Sequence, residues 1–233
     1  MLRRSSIFFL SIVTLVCTLS LPATTIDFET FNEGNNPNPV VVGGNTVTFG
    51  TGAGAVPTGD AFVVEVGTPV RGFEPLDSPV GGLAGAKFLT DELAGPGLPN
   101  QGLNYFMTFA VPIINLSLDL YDFRDGGAGP GDTATLTLFS DAFTTAVSTV
   151  TFMIPAILPV DGNVVNLAAA SGAFNILSAS LVFSAPDLGT GIDNLNFTSA
   201  PEPWSVFLLG SGMLGMGRAL RRRRKLAANQ SSS

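Results

Sequence analysis

Two groups of acidic residues are the parts of this sequence best suited to chemistry. Glu29 follows Ile26-Asp27-Phe28 near the start of the chain, and Asp193 lies in Gly191–Phe197 near its end. If the strands that carry them are neighbours in a β-sandwich, the two carboxylates come together. A close carboxylate pair favours a bound cation or a raised pKa. Solvated polar residues at strand ends are the alternative interpretation.

The second acidic group lies where a β-rich run gives way to a glycine-rich segment. Asp122 and Asp125 flank Phe123-Arg124, and Gly126–Asp132 follows. Carboxylates spaced along a flexible loop can supply the several oxygen ligands that Ca²⁺ requires. The spacing does not fit an EF-hand, and Asp and Gly are also the residues that tight turns prefer. The pattern therefore favours a structural hairpin, with a calcium site as the alternative.

Composition excludes several kinds of catalytic site. The sequence has no histidine, so it holds no Ser-His-Asp or Cys-His triad and no histidine-ligated zinc or copper. Paired carboxylates could hydrolyse glycosides. However, the single tryptophan is Trp204, near the C-terminus, and Tyr105 and Tyr121 are the only tyrosines, so aromatic platforms for sugars are scarce. We therefore predict a non-enzymatic protein and keep a carboxylate glycoside hydrolase as a second alternative.

The charge distribution excludes nucleic acid as a partner. Only Arg71, Lys87 and Arg124 are basic between the two terminal segments, against eighteen acidic residues in the whole chain. Phosphate binding depends on clustered Lys and Arg, which this domain lacks. The one cysteine, Cys17, precedes the predicted domain, so we expect no disulfide there.

Short β-rich runs separated by Gly, Pro, Asn and Asp predict an all-β fold. About ten strands suit a two-sheet, jelly-roll-like sandwich, with the many phenylalanines in its core. In the last strand but one, alternation places Leu177, Ala179, Leu181 and Phe183 on one face. Residues 50–59 and 67–102 lack a strand pattern. The predicted strands are Ile26–Phe31, Asn45–Phe49, Ala61–Val66, Asn104–Ala110, Ile114–Asp122, Thr133–Phe139, Thr145–Ile154, Asn163–Leu167, Ile176–Phe183 and Gly191–Phe197.

Both ends of the chain carry membrane-directed patterns. Arg3 and Arg4 precede the apolar stretch Ile7–Leu21, which is the layout of a signal peptide. Near the C-terminus, the apolar run Trp204–Gly217 would form a helix of roughly 21 Å, which is short for a hydrocarbon core of about 30 Å. The basic cluster Arg221–Lys225 that follows should stay cytoplasmic. On physical grounds, a membrane anchor and a processing signal are equally good interpretations.

Ala200-Pro201-Glu202-Pro203-Trp204, the apolar run and the arginine cluster together resemble the PEP-CTERM sorting signal of Gram-negative bacteria. In that family an exosortase, a membrane transpeptidase, reads the signal in bacteria that make exopolysaccharide. The resemblance implies that Pro201, Glu202 and Pro203 are recognition residues. It also implies that Arg221, Arg222, Arg223 and Arg224 form the stop-transfer block. Family tails usually end just after the arginines, whereas this chain continues through residues 226–233.

These patterns divide the chain into a signal peptide (1–23), a β-sandwich domain (24–199), a sorting signal with a transmembrane helix (200–225) and a polar tail (226–233). The early Asp-Phe-Glu and the late Ile-Asp-Asn also resemble secreted jelly-roll domains with a structural calcium, which makes Glu29 and Asp193 candidate ligands. We predict an exported surface or matrix protein, in the inner membrane during transit and then in the cell envelope, on the outer surface or extracellular. Its partners would be an exosortase and exopolysaccharide. A calcium-dependent carbohydrate-binding module is the first alternative.

Overall fold

The structure is a computed structural model that describes residues 22–65, 87–91, 102–124, 128–158, 162–185 and 190–200. These ranges contain strands and connecting segments but no helix, and therefore none that could cross a membrane. Residues 1–21 of the predicted signal peptide and residues 201–225 of the predicted sorting signal lie outside them. The strands are β1 (Thr24–Ile26), β2 (Val40–Val42), β3 (Asn45–Gly52), β4 (Phe62–Glu65), β5 (Lys87–Thr90), β6 (Asn104–Tyr121), β7 (Thr133–Phe139), β8 (Ala146–Met153), β9 (Val164–Ala170), β10 (Ile176–Phe183) and β11 (Gly191–Ser199).

The prediction of an all-β, sandwich-like fold is confirmed. All the strands belong to one antiparallel sheet, whose longest path runs β4-β5-β11-β6-β10-β7-β8. The 18-residue strand β6 pairs with β3 and β10 along its first half, and with β11 and β9 along its second half. Because β6 pairs with both sets of strands, the hydrogen-bonded sheet continues from one part of the sandwich into the other.

Alternating residues build the core. In β7, the inward residues Ala134, Leu136 and Leu138 are fully buried, while the threonines between them are partly exposed. Side chains two residues apart point to the same face of a strand, so this pattern buries one face of β7. Phenylalanine rings fill much of the interior, as expected, and Phe28 and Phe49 meet edge to face at 5.5 Å.

The structure merges two predicted strands into β6, because the chain stays extended through Pro112. Proline has no N–H to donate, and at this point β6 changes partners. The side chain of Asn45 bridges the change: its Oδ1 accepts from the N–H of Val111 at 2.9 Å, and its Nδ2 donates to the Val111 carbonyl at 2.8 Å. The buried Asn45 side chain thus forms the two hydrogen bonds with the Val111 backbone that a neighbouring strand would otherwise form.

Three further details differ from the sequence prediction. The first strand ends at Ile26 instead of continuing to residue 31, because Phe28 has a left-handed backbone with φ 57°. The short strands β2 and β5 were not predicted. In β10, Ala179 and Leu181 are buried as predicted, but Leu177 is exposed because the register with β6 shifts between Ile176 and Ser178.

Candidate functional site

Pairing of the first and last strands places the predicted acids in one region. In the register of β1 with β11, Thr25 lies opposite Asn196 and Ile26 lies opposite Leu195. On the other side of β11, Asp193 lies directly opposite Asp119 of β6. Asp193 is therefore flanked by a third carboxylate that the sequence prediction did not include. We call Asp27, Glu29, Asp119 and Asp193 the acidic cluster.

Asp193 is the buried member of the acidic cluster. Its side chain is 1% exposed, and among the described residues neither carboxylate oxygen accepts a hydrogen bond of good geometry. It lies on the same face of the sheet as Tyr121, whose ring packs 4.7 Å from that of Phe88. These buried rings exclude water from this part of the face. Burial raises the pKa of Asp193 to about 7, and the negative charges of Glu29, Asp119 and Asp27 add to the increase, although the backbone N–H of Asn194, in a poorly aligned contact, opposes it.

The neighbouring carboxylates have partners of their own. Asp119 accepts hydrogen bonds from the side-chain amides of Asn166 at 2.8 Å and Asn194 at 3.0 Å. Glu29 Oε1 accepts from the backbone N–H of Lys87 at 2.8 Å. The Lys87 ammonium donates to the carbonyl of Phe31 at 2.9 Å. These hydrogen bonds hold the Asp119 and Glu29 carboxylates in place, and the negative charges of both act on Asp193.

The structure brings Glu29 near enough to Asp193 to raise its pKa, but the cluster is not a complete carboxylate cage. Within the described ranges, no three acidic, histidine or cysteine side chains are close enough together to hold one metal ion. Any cation at Asp193 would need backbone or amide oxygens, or water, to complete its shell.

Asp122, the other candidate ligand, lies at the end of β6 and is fully buried there. Its backbone is left-handed, with φ 54°. Its Oδ1 accepts from the Gly162 N–H at 2.8 Å, and its own N–H donates to the Asn163 carbonyl at 2.8 Å. These bonds fasten the end of β6 to the segment that precedes β9. Asp125 lies outside the described residues.

A second feature, which the sequence prediction missed, is an open groove of about 480 Å³ on the β3–β6 part of the sheet. Its floor is formed by the paired residues Thr48 and Thr108, with Gly50 and Phe106 beside them. The two threonine side chains are exposed. The floor thus presents hydroxyl groups next to an aromatic ring.

One wall of the groove is the loop of residues 53–60, which folds back onto β3. Its N–H groups at Thr58 and Gly59 both donate to the Thr51 carbonyl, at 2.8 and 2.9 Å. Gly50 permits this close approach, since a Cβ there would lie 2.7 Å from Pro57 Cβ. The loop ends at Asp60, whose exposed side chain lines the groove.

The other wall is the ring of Phe143, in the loop between β7 and β8. Phe143 has φ 65°, a left-handed conformation that is unusual for an aromatic residue. Its N–H donates to Ser178 Oγ at 3.2 Å, and its ring packs edge to face on Phe106 at 5.3 Å and on Phe139 at 6.0 Å. These contacts hold the ring in place.

Asp141 fixes the same loop. Its carboxylate accepts four hydrogen bonds, from the N–H and hydroxyl groups of Thr144 and Thr145, at 2.6 to 2.9 Å. These bonds hold the pKa of Asp141 far below its ordinary value, with the threonine hydroxyls as the main cause. The loop is therefore held by its own side chains while Phe143 remains partly exposed.

The tyrosines considered as sugar platforms are not available on the surface. Tyr105 is 2% exposed and donates its hydroxyl to the Thr190 carbonyl at 2.6 Å, and Tyr121 is fully buried. The aromatic ring beside the groove is instead a phenylalanine in a turn. The sequence could have indicated this residue, because Asp141-Ala-Phe-Thr-Thr145 places an aromatic residue in a polar turn between two predicted strands.

No family model and no curated protein matches the chain. Among solved structures, the K2 cleaved adhesin domain of Lys-gingipain matches over 76% of this chain and 99% of that chain, with 12% identity and a TM-score of 0.44. The family 11 carbohydrate-binding module of the cellulase Lic26A-Cel5E of Clostridium thermocellum matches over 78% and 98%, with 12% identity and a TM-score of 0.27. At these scores neither likeness supports a conclusion about this chain.

Proposed function

We propose that this chain is an exported, non-enzymatic protein of the cell surface or extracellular matrix. An exosortase-type transpeptidase would sort it, and it would associate with exopolysaccharide. The observation that carries the proposal is the order of the terminal segments. A basic-then-apolar stretch precedes the β-domain, and Pro201-Glu202-Pro203 followed by an apolar run and Arg221–Arg224 comes after it. The finer description of the domain as a jelly roll, and of the apolar run as a single transmembrane helix, belongs to the same proposal.

Processing at the C-terminal segment is tested with full-length protein that carries one epitope tag directly after the predicted signal peptide and a different tag after Ser233. In exosortase-competent cells we expect the C-terminal tag to be lost and the other tag to reach the outer surface. Replacing Pro201 and Pro203 by Ala should preserve the C-terminal tag. Pro155→Ala, at an exposed proline of the β-domain, is the matched control and should be processed normally. Retention of both tags by the unmodified chain would refute the sorting proposal.

Carbohydrate binding is the second candidate function, and the groove between the 53–60 loop and Phe143 favours it. Open sites with an aromatic wall and a few polar groups are typical of ligand-binding surfaces. If binding depends on calcium, Asp193 and Glu29 are the residues that would hold the ion, and the ion would neutralise the acidic cluster. Support for this assignment comes from the two buried oxygens of Asp193, which accept no well-formed hydrogen bond from the residues that the structure describes.

The groove does not favour glycoside hydrolysis. That reaction uses two carboxyl groups about 5 to 10 Å apart across the scissile bond. Among the described residues that line the groove, Asp60 is the one acid. We therefore retain binding, and not hydrolysis, as the proposed activity of this surface.

A further inference from the structure

We infer that the groove formed by Thr48, Thr108, Phe106, Phe143 and the 53–60 loop binds a neutral oligosaccharide chain. A sugar ring would lie against the Phe143 ring, and the Asp60 carboxylate and the threonine hydroxyls would bind sugar hydroxyls. This inference rests on the carbohydrate-binding part of the proposed function and assigns its site and its class of ligand.

The lining of the groove matches the two sides of a sugar ring. A pyranose has an apolar face of C–H groups and a rim of hydroxyls. The partly exposed ring of Phe143 offers a flat apolar surface to the first. Thr48 and Thr108 can donate and accept hydrogen bonds, and the Asp60 carboxylate can accept two, which suits adjacent sugar hydroxyls. The groove is open along the sheet surface, so it can accept an internal segment of a chain.

Charge selects a neutral ligand over an acidic one. The groove is lined by one carboxylate and, among the described residues, by no Lys or Arg. Beyond the groove, the whole segment between the terminal regions has three basic residues. A uronate or a sulfated sugar would bring its charge next to Asp60 without a cation to compensate it.

Hydrogen bonds hold both walls of the groove, the 53–60 loop and the loop that carries Phe143, before any ligand binds. The four hydrogen bonds to Asp141 fix the loop that carries Phe143, and the left-handed backbone of Phe143 is held by Ser178. A strained aromatic residue that its surroundings hold in place is a feature of functional sites. Because the walls are already ordered, binding loses little conformational entropy.

The test uses the full-length chain in a detergent without a sugar headgroup, since such a headgroup would compete for the groove. Isothermal titration with cellohexaose, laminarihexaose and mannohexaose covers neutral ligands, and hexagalacturonate is the acidic comparison. We expect at least one neutral hexasaccharide to bind and hexagalacturonate not to bind. Phe143→Ala and Asp60→Asn should each weaken binding by about tenfold or more, since each removes one recognition group.

Two further variants keep the result interpretable if Phe143→Ala unfolds. Thr108→Arg places a bulky side chain on the groove floor at an exposed position, so it should abolish binding without disturbing the core. Phe174→Ala removes an exposed phenylalanine outside the groove and should leave affinity unchanged.

The possible outcomes test three statements separately: the location of the site, the class of ligand and carbohydrate binding itself. If a neutral sugar binds equally well to wild type, Phe143→Ala and Thr108→Arg, the assignment of the site is wrong, although the domain does bind carbohydrate. If hexagalacturonate binds and the neutral sugars do not, the ligand class is wrong. If none of the probes binds, both the groove assignment and the carbohydrate-binding candidate fail, while the sorting proposal is unaffected.

Discussion

Replacing Asp193 by Asn should stabilise the protein at neutral pH and destabilise it by about 1 kcal/mol in acid, where the wild-type side chain is neutral as well. The pKa of Asp193 rises from an ordinary value of 3.8 to about 7 in the folded chain, mainly because of burial. A pKa difference of this size corresponds to about 4 kcal/mol. The wild-type protein loses this much unfolding free energy at a pH where Asp193 is ionised in the folded state. The carboxamide that replaces the carboxyl group would carry no charge, but it would lack partners too, which costs about 1–2 kcal/mol. We therefore expect Asp193→Asn to gain about 2–3 kcal/mol at pH 8.

The sign of the pH dependence follows from proton binding. Between about pH 4 and pH 7, folded Asp193 holds its proton while the unfolded side chain has released it. The folded state thus binds more protons, and the unfolding free energy of the wild type should fall as pH rises through this window. In the Asp193→Asn variant this part of the pH dependence should be absent.

Urea unfolding followed by circular dichroism at pH 4.5 and pH 8, with a chelator present, measures both effects. Asp60→Asn, which removes an exposed carboxylate outside the acidic cluster, is the control and should change stability little. A parallel series with millimolar Ca²⁺ tests the cation. If Asp193 holds calcium, the ion should stabilise the wild type at pH 8 and not Asp193→Asn. A wild-type stability that is flat or rises from pH 4.5 to pH 8 in chelator would refute the reasoning about Asp193.

Two other predictions concern the packing of the sheet and the order of the groove. Gly191→Ala should lower stability by about 2 kcal/mol in thermal unfolding, since its Cβ would lie 2.1 Å from Cδ2 of the buried Phe88 ring. Gly54→Ala, where nothing lies within 4 Å of the added Cβ, should have little effect, and equal melting temperatures would contradict the packing argument. Asp141→Ala should weaken oligosaccharide binding and raise hydrogen exchange at Thr144 and Thr145, because the loop loses four hydrogen bonds. Because the pKa of Asp141 is held far below its ordinary value of 3.8, protection of these amides in the wild type should persist below pH 3.8, and its loss as pH falls through 3.8 would contradict this assignment.

Alternation of apolar and polar residues was enough to predict most of the strands. β7 and β10 have the predicted boundaries, and β1 lies beside β11 as the pairing of the terminal segments required. Alternation is a local property of the chain, and burial of one face is enough to produce it. Alternation could not predict that β6 continues through Pro112. That continuity depends on hydrogen bonds between Asn45 and Val111, which are 66 residues apart in the chain.

The candidate sites were less predictable than the strands. The expectation that Glu29 and Asp193 lie close together came from the assumed strand order, whereas the contribution of Asp119 depends on the register of β6 with β11. The groove depends on a loop that folds back over Gly50 and on the left-handed backbone of Phe143. Neither has a periodic pattern, and both arise from contacts between distant segments. The sorting signal is a linear motif, and it stays a prediction from the sequence.

The position of β11 in the sheet has a consequence for the order of folding. This last described strand bonds to β1, β5 and β6, so its partners come from residues 24–26, 87–90 and 113–121. Closing such long loops loses chain entropy before the contacts compensate for it, which makes topologies of this kind fold in milliseconds to seconds. A chain that emerges N-terminus first cannot complete this part of the sheet until residue 199 has appeared. Until then, β1 lacks β11, its partner among the described strands, and β5 is paired with β4 on one side only. Their open edges are sites where chaperones or proteases can act.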